Sequence, residues 1–225
     1  MKIKLKKQTS FQVVLIVLVA LTLASASYNS LAISKLKENS GNPGSGIPSG
    51  NGGVATSLTA VDVIPKGVPR IYGEELGVSY DGVTPNDPQL TEQTIRTLAV
   101  LDQQIELSGD ALTRYIEVAS QISCEYCCGA PAIIDSKGNA ACGCAHSYAM
   151  RGVAKYLLSK HASEFTDDEI LEEMGKWKTL FFPSQLSQKA QVLKDKSIEL
   201  NYINLASNKY RGVEQGVSGG MVGGC

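Results

Sequence analysis

The placement of cysteine constrains this chain more than any other feature. Five of its six cysteines lie between Cys124 and Cys144, and the sixth is Cys225. The cluster reads Cys124-x-x-Cys127-Cys128, then thirteen residues, then Cys142-x-Cys144-x-His146. Two short thiol clusters joined by a tight turn can bring four thiolates into a tetrahedron without a large fold. Zinc suits coordination by four cysteines, or by three cysteines and one histidine. Cu(I) also prefers soft thiolates. The expected ligands are Cys124, Cys127, Cys142 and Cys144, with Cys128 and His146 as alternates. Cys144 precedes a helix, whose N-terminal dipole favours a thiolate. Met150 falls one turn after His146 and is either an auxiliary ligand or a core residue. Cys225 ends a glycine-rich segment and either joins the site or stays outside it.

Two other uses of the cysteines compete. Cys124-Glu-Tyr-Cys127 is a CxxC that could cycle between dithiol and disulfide, making the protein a thiol-disulfide oxidoreductase. Here the CxxC follows an amphipathic helix, whereas a thioredoxin-like fold sets it at a helix N-terminus after a strand. Six cysteines in an exported chain could also form three disulfides and staple a surface interaction module. Adjacent Cys127 and Cys128 cannot easily pair with each other, and the five clustered thiols would staple only one corner.

Charge is as unevenly placed as cysteine. The formal net charge is -1. Lys2, Lys4, Lys6 and Lys7 precede an uncharged stretch from Gln8 to Ser34; without them, 17 basic residues face 22 acidic ones. No basic excess remains to bind nucleic acid. Lysine-rich flanks stay in the cytoplasm, so the chain after the apolar stretch is expected on the extracytoplasmic side. The stretch reads as a retained transmembrane anchor, with the membrane as a partner, or as a signal peptide cleaved after Ala26. No Ser-His-Asp order and no phosphate loop is present, and two histidines leave few candidates for acid-base catalysis.

The expected organisation is a basic tail over 1–7, the anchor or signal over 8–34, a glycine-rich linker over 35–60, a helical domain over 61–211 and a glycine-rich tail over 212–225. Val61, Val63 and Ile64 suggest a short strand. Asp87-Pro88 starts a helix with Leu90, Ile95, Leu98, Leu101 and Ile105 on its apolar face. Ser108 or Asp110 opens a second helix, expected to run straight into Cys124. Ser136-Lys-Gly-Asn139 marks a turn between two apolar runs and predicts a hairpin. Helices are also expected from Ala145 to Lys160, after the capping box Thr166-x-x-Glu169, and from Pro183. His161 reads as a helix C-terminal cap, and Asp167, Asp168, Glu169, Glu172 and Glu173 as a solvated face. The fold class is therefore mainly α, a small helical domain with a β-hairpin framing the cysteines and one N-terminal transmembrane or signal helix before it.

At Cys124-Glu-Tyr-Cys-Cys-Gly129 and Cys142-Gly-Cys-Ala-His146 the sequence resembles a family of prokaryotic surface proteins named for a PCYCGC motif. The resemblance spans roughly Ser123 to Lys178, about a quarter of the chain. It implies an exported thiol or metal role, with Cys124, Cys127, Cys128, Cys142 and Cys144 as the ligands that could carry over. Here no proline precedes the first cysteine, CYCGC becomes CEYCCG, and the CGCAH element is added.

Overall fold

The computed structural model describes residues 63–215. Among these, 58% are helical and none lies in a strand. Seven α-helices follow one another: α1 (Tyr72–Leu76), α2 (Pro88–Gln104), α3 (Gly109–Ala119), α4 (Ala145–Lys160), α5 (Asp167–Phe181), α6 (Pro183–Asp195) and α7 (Tyr202–Ala206). The transmembrane or signal segment and Cys225 lie outside the described residues. Among the described residues no helix is long and apolar enough to cross a membrane.

Local chemistry explains where the helices begin. Pro88 takes the first turn of α2, where its missing N–H costs nothing, and the Asp87 side chain accepts from Leu90 N–H at 3.0 Å. Thr166 and Glu169 form the reciprocal capping box that opens α5. Helix α4 starts on Cys144, whose sulfur accepts from Ser147 N–H at 3.3 Å. Leu90 departs from the expected apolar face of α2 and is exposed, while Ile95 and Leu98 are buried.

Helix α4 is the hub, packed against α2, α3 and α5. Its approach to α2 depends on Gly152, where a Cβ would sit 1.9 Å from the Leu98 carbonyl oxygen. No rotamer relieves a clash with backbone, so the helices would have to separate. Gly152→Ala is expected to cost at least about 2 kcal/mol, read as the shift of a denaturation curve; an unchanged midpoint would show that the crossing is loose. The α5 and α7 crossing uses Gly175 in the same way, with a Cβ there 2.8 Å from the Tyr202 carbonyl oxygen. Trp177, Phe181 and Phe182 are fully buried.

Four expectations fail for identifiable reasons. The β-hairpin does not form. Asp135 Oδ1 accepts from Lys137 N–H at 2.8 Å and Asn139 N–H at 2.9 Å, so the turn is present. Beyond it only one bridge pairs the arms, Ile134 with Ala140. The Ile133 carbonyl still accepts from Ala141 N–H across the turn, but Ile133 N–H donates to the Ile122 carbonyl at 3.0 Å and the Cys142 carbonyl accepts from the Arg151 guanidinium, so the ladder goes no further. Second, α3 ends at Ala119 and does not run into Cys124. Ile122 is drawn into an antiparallel bridge with Ser207, and Gln121 carbonyl accepts from Asn208 N–H at 2.7 Å. Third, Val63 and Ile64 are not in a strand; Val63 is a buried part of irregular chain. Fourth, Glu173 is not on a solvated face. It is buried and accepts from Tyr72 Oη at 2.6 Å and Tyr80 Oη at 2.5 Å. That carboxylate keeps both phenols protonated well above their usual range, after burial as the larger cause. Glu214, in the stretch assigned to the C-terminal tail, is also buried.

His161 caps α4 as expected, its N–H donating to the Leu157 carbonyl. Its ring lies 2.7 Å from Glu164 through Nδ1 and 2.9 Å from Glu75 through Nε2. Burial works against the imidazolium, but the two carboxylates outweigh it and raise the pKa. A raised folded pKa stabilises fully below the unfolded value of about 6.5 and is lost as pH rises through the folded value. The stability difference between wild type and His161→Gln is expected to be larger at about pH 6 than at about pH 8. A difference independent of pH would contradict the ion pairs.

Candidate metal centre

Two segments converge at the start of α4. Cys124 follows the Ile122–Ser207 bridge, Cys127 lies in the bend three residues on, and Cys144 and His146 occupy the N-cap and first turn of α4. One ligand atom from each of Cys124, Cys127, Cys144 and His146 falls within 4.8 Å of the others. Cys124, Cys144 and His146 are buried and Cys127 is half-buried. The set is three thiols and one imidazole, a donor combination that zinc takes in tetrahedral sites.

The expected ligands divide. Cys124, Cys127 and Cys144 come together as expected. His146, an alternate in the sequence reading, stands in the fourth position. Cys142, expected as a ligand, is joined to Cys128 in a disulfide. That bridge ties the loop after the first thiol cluster to the arm that returns to α4. Met150 is fully buried among core residues on α4 and is not in the ligand group. Arg151, one residue further along α4, pairs with Asp102 at 2.8 Å.

The sulfurs of Cys124 and Cys144 are 3.2 Å apart. At that distance either thiol can donate a hydrogen bond to the other. The hydrogen bond from Cys124 lowers the Cys144 pKa, with His146 and Ser147 adding to it against burial. The same hydrogen bond, with burial, raises the Cys124 thiol. The N-terminal dipole of α4 likewise favours a thiolate on Cys144. His146 is held in an aromatic slot, its ring centroid 4.8 Å from Phe181 and 5.0 Å from Phe182. The slot presents the ring to the sulfurs, with one ligand atom of each within 4.8 Å.

Sequence reasoning missed the charges beneath the cluster. Glu125 lies inside the CxxC and its carboxylate is buried against Lys178 at 2.9 Å and Lys189 at 3.4 Å. Burial lowers the Lys178 ammonium to about 8, although Glu125 pulls the other way. Burial likewise opposes the Glu125 carboxylate, but the two lysines lower its pKa. A signal for both lysines was in the sequence. Lys178 stands four residues after Met174 and seven after Leu171, on the inward stripe of its helix. Lys189 stands three after Leu186 and four before Leu193. A lysine on an apolar stripe requires a buried acidic partner.

Comparison with family models, with characterised proteins and with solved structures finds no match to this chain. The reading of the site therefore rests on its geometry.

Proposed function

We propose that this chain is a membrane-anchored extracytoplasmic protein that binds one soft or borderline metal ion through Cys124, Cys127, Cys144 and His146. One observation carries the metal reading: four donors of the right chemistry, brought from two segments, lie within 4.8 Å of one another. Zinc is the favoured ion. Three of the four residues are buried, and closed sites with four protein ligands are the structural zinc type. Zinc would hold the cysteine loop against α4 and neutralise most of the thiolate charge. Cu(I) is the ion for a handling role.

The four lysines before the apolar stretch support the anchor and the orientation. The Cys128–Cys142 bridge supports an oxidising compartment, where disulfides persist. Kinship with the PCYCGC surface proteins is part of the same proposal, and its exported thiol role agrees with it.

The test is metal and thiol analysis of the full chain, purified in detergent without a metal-affinity tag. About one bound metal per chain is expected. Cys128 and Cys142 should react with a thiol reagent only after reduction. Metal-free protein that takes up neither zinc nor Cu(I) would overturn the reading.

The runner-up, thiol-disulfide exchange, is favoured by one distance and in altered form. The 3.2 Å approach makes Cys124 and Cys144 the exchanging pair, not Cys124 and Cys127. Its signature is metal-free protein in which mild reduction releases two thiols at those positions.

A further inference from the structure

Glu125, the first residue inside the CxxC, has its backbone in the left-handed region, at φ 54°. Residues other than glycine seldom rest there unless their surroundings hold them. Here the hold is a buried clamp. Glu125 Oε2 accepts from Lys178 Nζ at 2.9 Å and lies 3.4 Å from Lys189 Nζ. Its Oε1 accepts from Gly212 N–H at 2.8 Å. Lys178 also donates to the Ala206 carbonyl at 2.7 Å.

The second interior residue is held from the same side. Tyr126 Oη donates to Glu214 at 2.5 Å, and its ring lies beneath the Lys178 ammonium. Arg211 donates to the Gly129 and Ala130 carbonyls at 2.9 and 2.8 Å. Helices α5 and α6 and residues 211–214 thus all fasten the loop that carries Cys124, Cys127 and Cys128.

Stability alone does not account for this expense. Apolar side chains of similar volume commonly replace a buried ion pair without loss of stability. What apolar packing cannot supply is a fixed left-handed residue between two thiols. We propose that Glu125 is the positioning residue of the metal centre: clamped by Lys178, Lys189 and Gly212 N–H, it locks the Cys124–Cys127 turn so that both sulfurs meet Cys144 and His146. The segment 211–214 is then part of the centre's support. This rests on the metal reading above.

Co(II) titration of the full chain reads affinity and the ligand-field bands of a tetrahedral thiolate site together. Wild type is measured first, and a wild-type chain that binds no cobalt overturns the metal reading and the proposal with it. With wild-type binding established, Glu125→Leu/Lys178→Met removes one buried charge of each sign, so the remaining charge stays balanced. Cobalt affinity is expected to fall at least about tenfold, the scale of supporting residues around metal ligands, and the bands to shift. Glu125→Gly/Lys178→Met restores a residue at ease in the left-handed region and should recover part of that loss. Wild-type affinity and bands in the leucine variant would overturn the proposal, as would a glycine variant no better than the leucine one. Should the leucine variant lose its helical circular dichroism, Glu125→Asp decides. It keeps the charge but shortens the reach to Gly212, and unchanged cobalt affinity in it overturns the clamp.

Discussion

Replacing Cys144 with serine should remove tight metal binding while leaving the metal-free fold in place. The two consequences separate because Cys144 has two roles. As a proposed ligand it would supply a thiolate 3.2 Å from Cys124, and a serine hydroxyl is a poor substitute at a zinc site. As the N-cap of α4 it accepts from Ser147 N–H, and serine is among the preferred residues there. Zinc affinity is expected to fall by at least about 100-fold, beyond what the loss of a supporting residue costs. The melting temperature of wild type should rise with added zinc, because only the folded state offers the assembled site. That rise should be absent from Cys144→Ser.

The neighbouring cysteines should behave in the opposite way. Cys128→Ser/Cys142→Ser opens a bridge that spans a sequence separation of 14 residues. A loop of that size contributes about 3 kcal/mol in the chain-entropy account. The double variant should therefore lose stability and keep its zinc response. If Cys142→Ser abolished zinc binding and Cys144→Ser did not, the ligand assignment would be wrong.

The second large effect is expected at Arg151. It is almost fully buried, pairs with Asp102 at 2.8 Å, and donates to the Ile133 and Cys142 carbonyls. It ties α2, α4 and the arm entering the candidate metal centre to one side chain. Arg151→Met leaves Asp102 with only Lys155, at 2.7 Å, and takes the donor from the Cys142 carbonyl, while the Ile133 carbonyl keeps Ala141 N–H at 3.0 Å. Breaking one side of a buried pair typically costs about 3–5 kcal/mol. Asp102→Asn/Arg151→Met should recover part of the loss, because the stranded charge is gone. Denaturant unfolding of the two single variants and the double variant measures it. Additive losses would mean that the pair is not coupled.

The helices were legible because their signals are local. Asp87-Pro88, Thr166-x-x-Glu169 and the start of α4 each depend on groups within one turn of the chain. The ligand group was legible in type, and three of its four members were named first. The fourth was not, because spacing cannot choose between Cys142 and His146. That choice depends on the disulfide, which removes Cys142, and on the Phe181 and Phe182 slot, which presents His146. Both arise from contacts across the fold. The hairpin failed for a similar reason. Its turn chemistry is local and correct, but its arms are drawn to Ile122 and Arg151, partners that lie outside the hairpin. The Glu125 clamp joins residues from α5, α6 and the segment after α7. Its one trace in the sequence is a pair of lysines where apolar residues belong.

The most direct test of the central claim is X-ray absorption of the zinc-loaded full chain. The proposed centre requires about three sulfur neighbours near 2.3 Å and one nitrogen near 2.0–2.1 Å. A first shell of four sulfurs, or of oxygen and nitrogen alone, would contradict the assignment of Cys124, Cys127, Cys144 and His146.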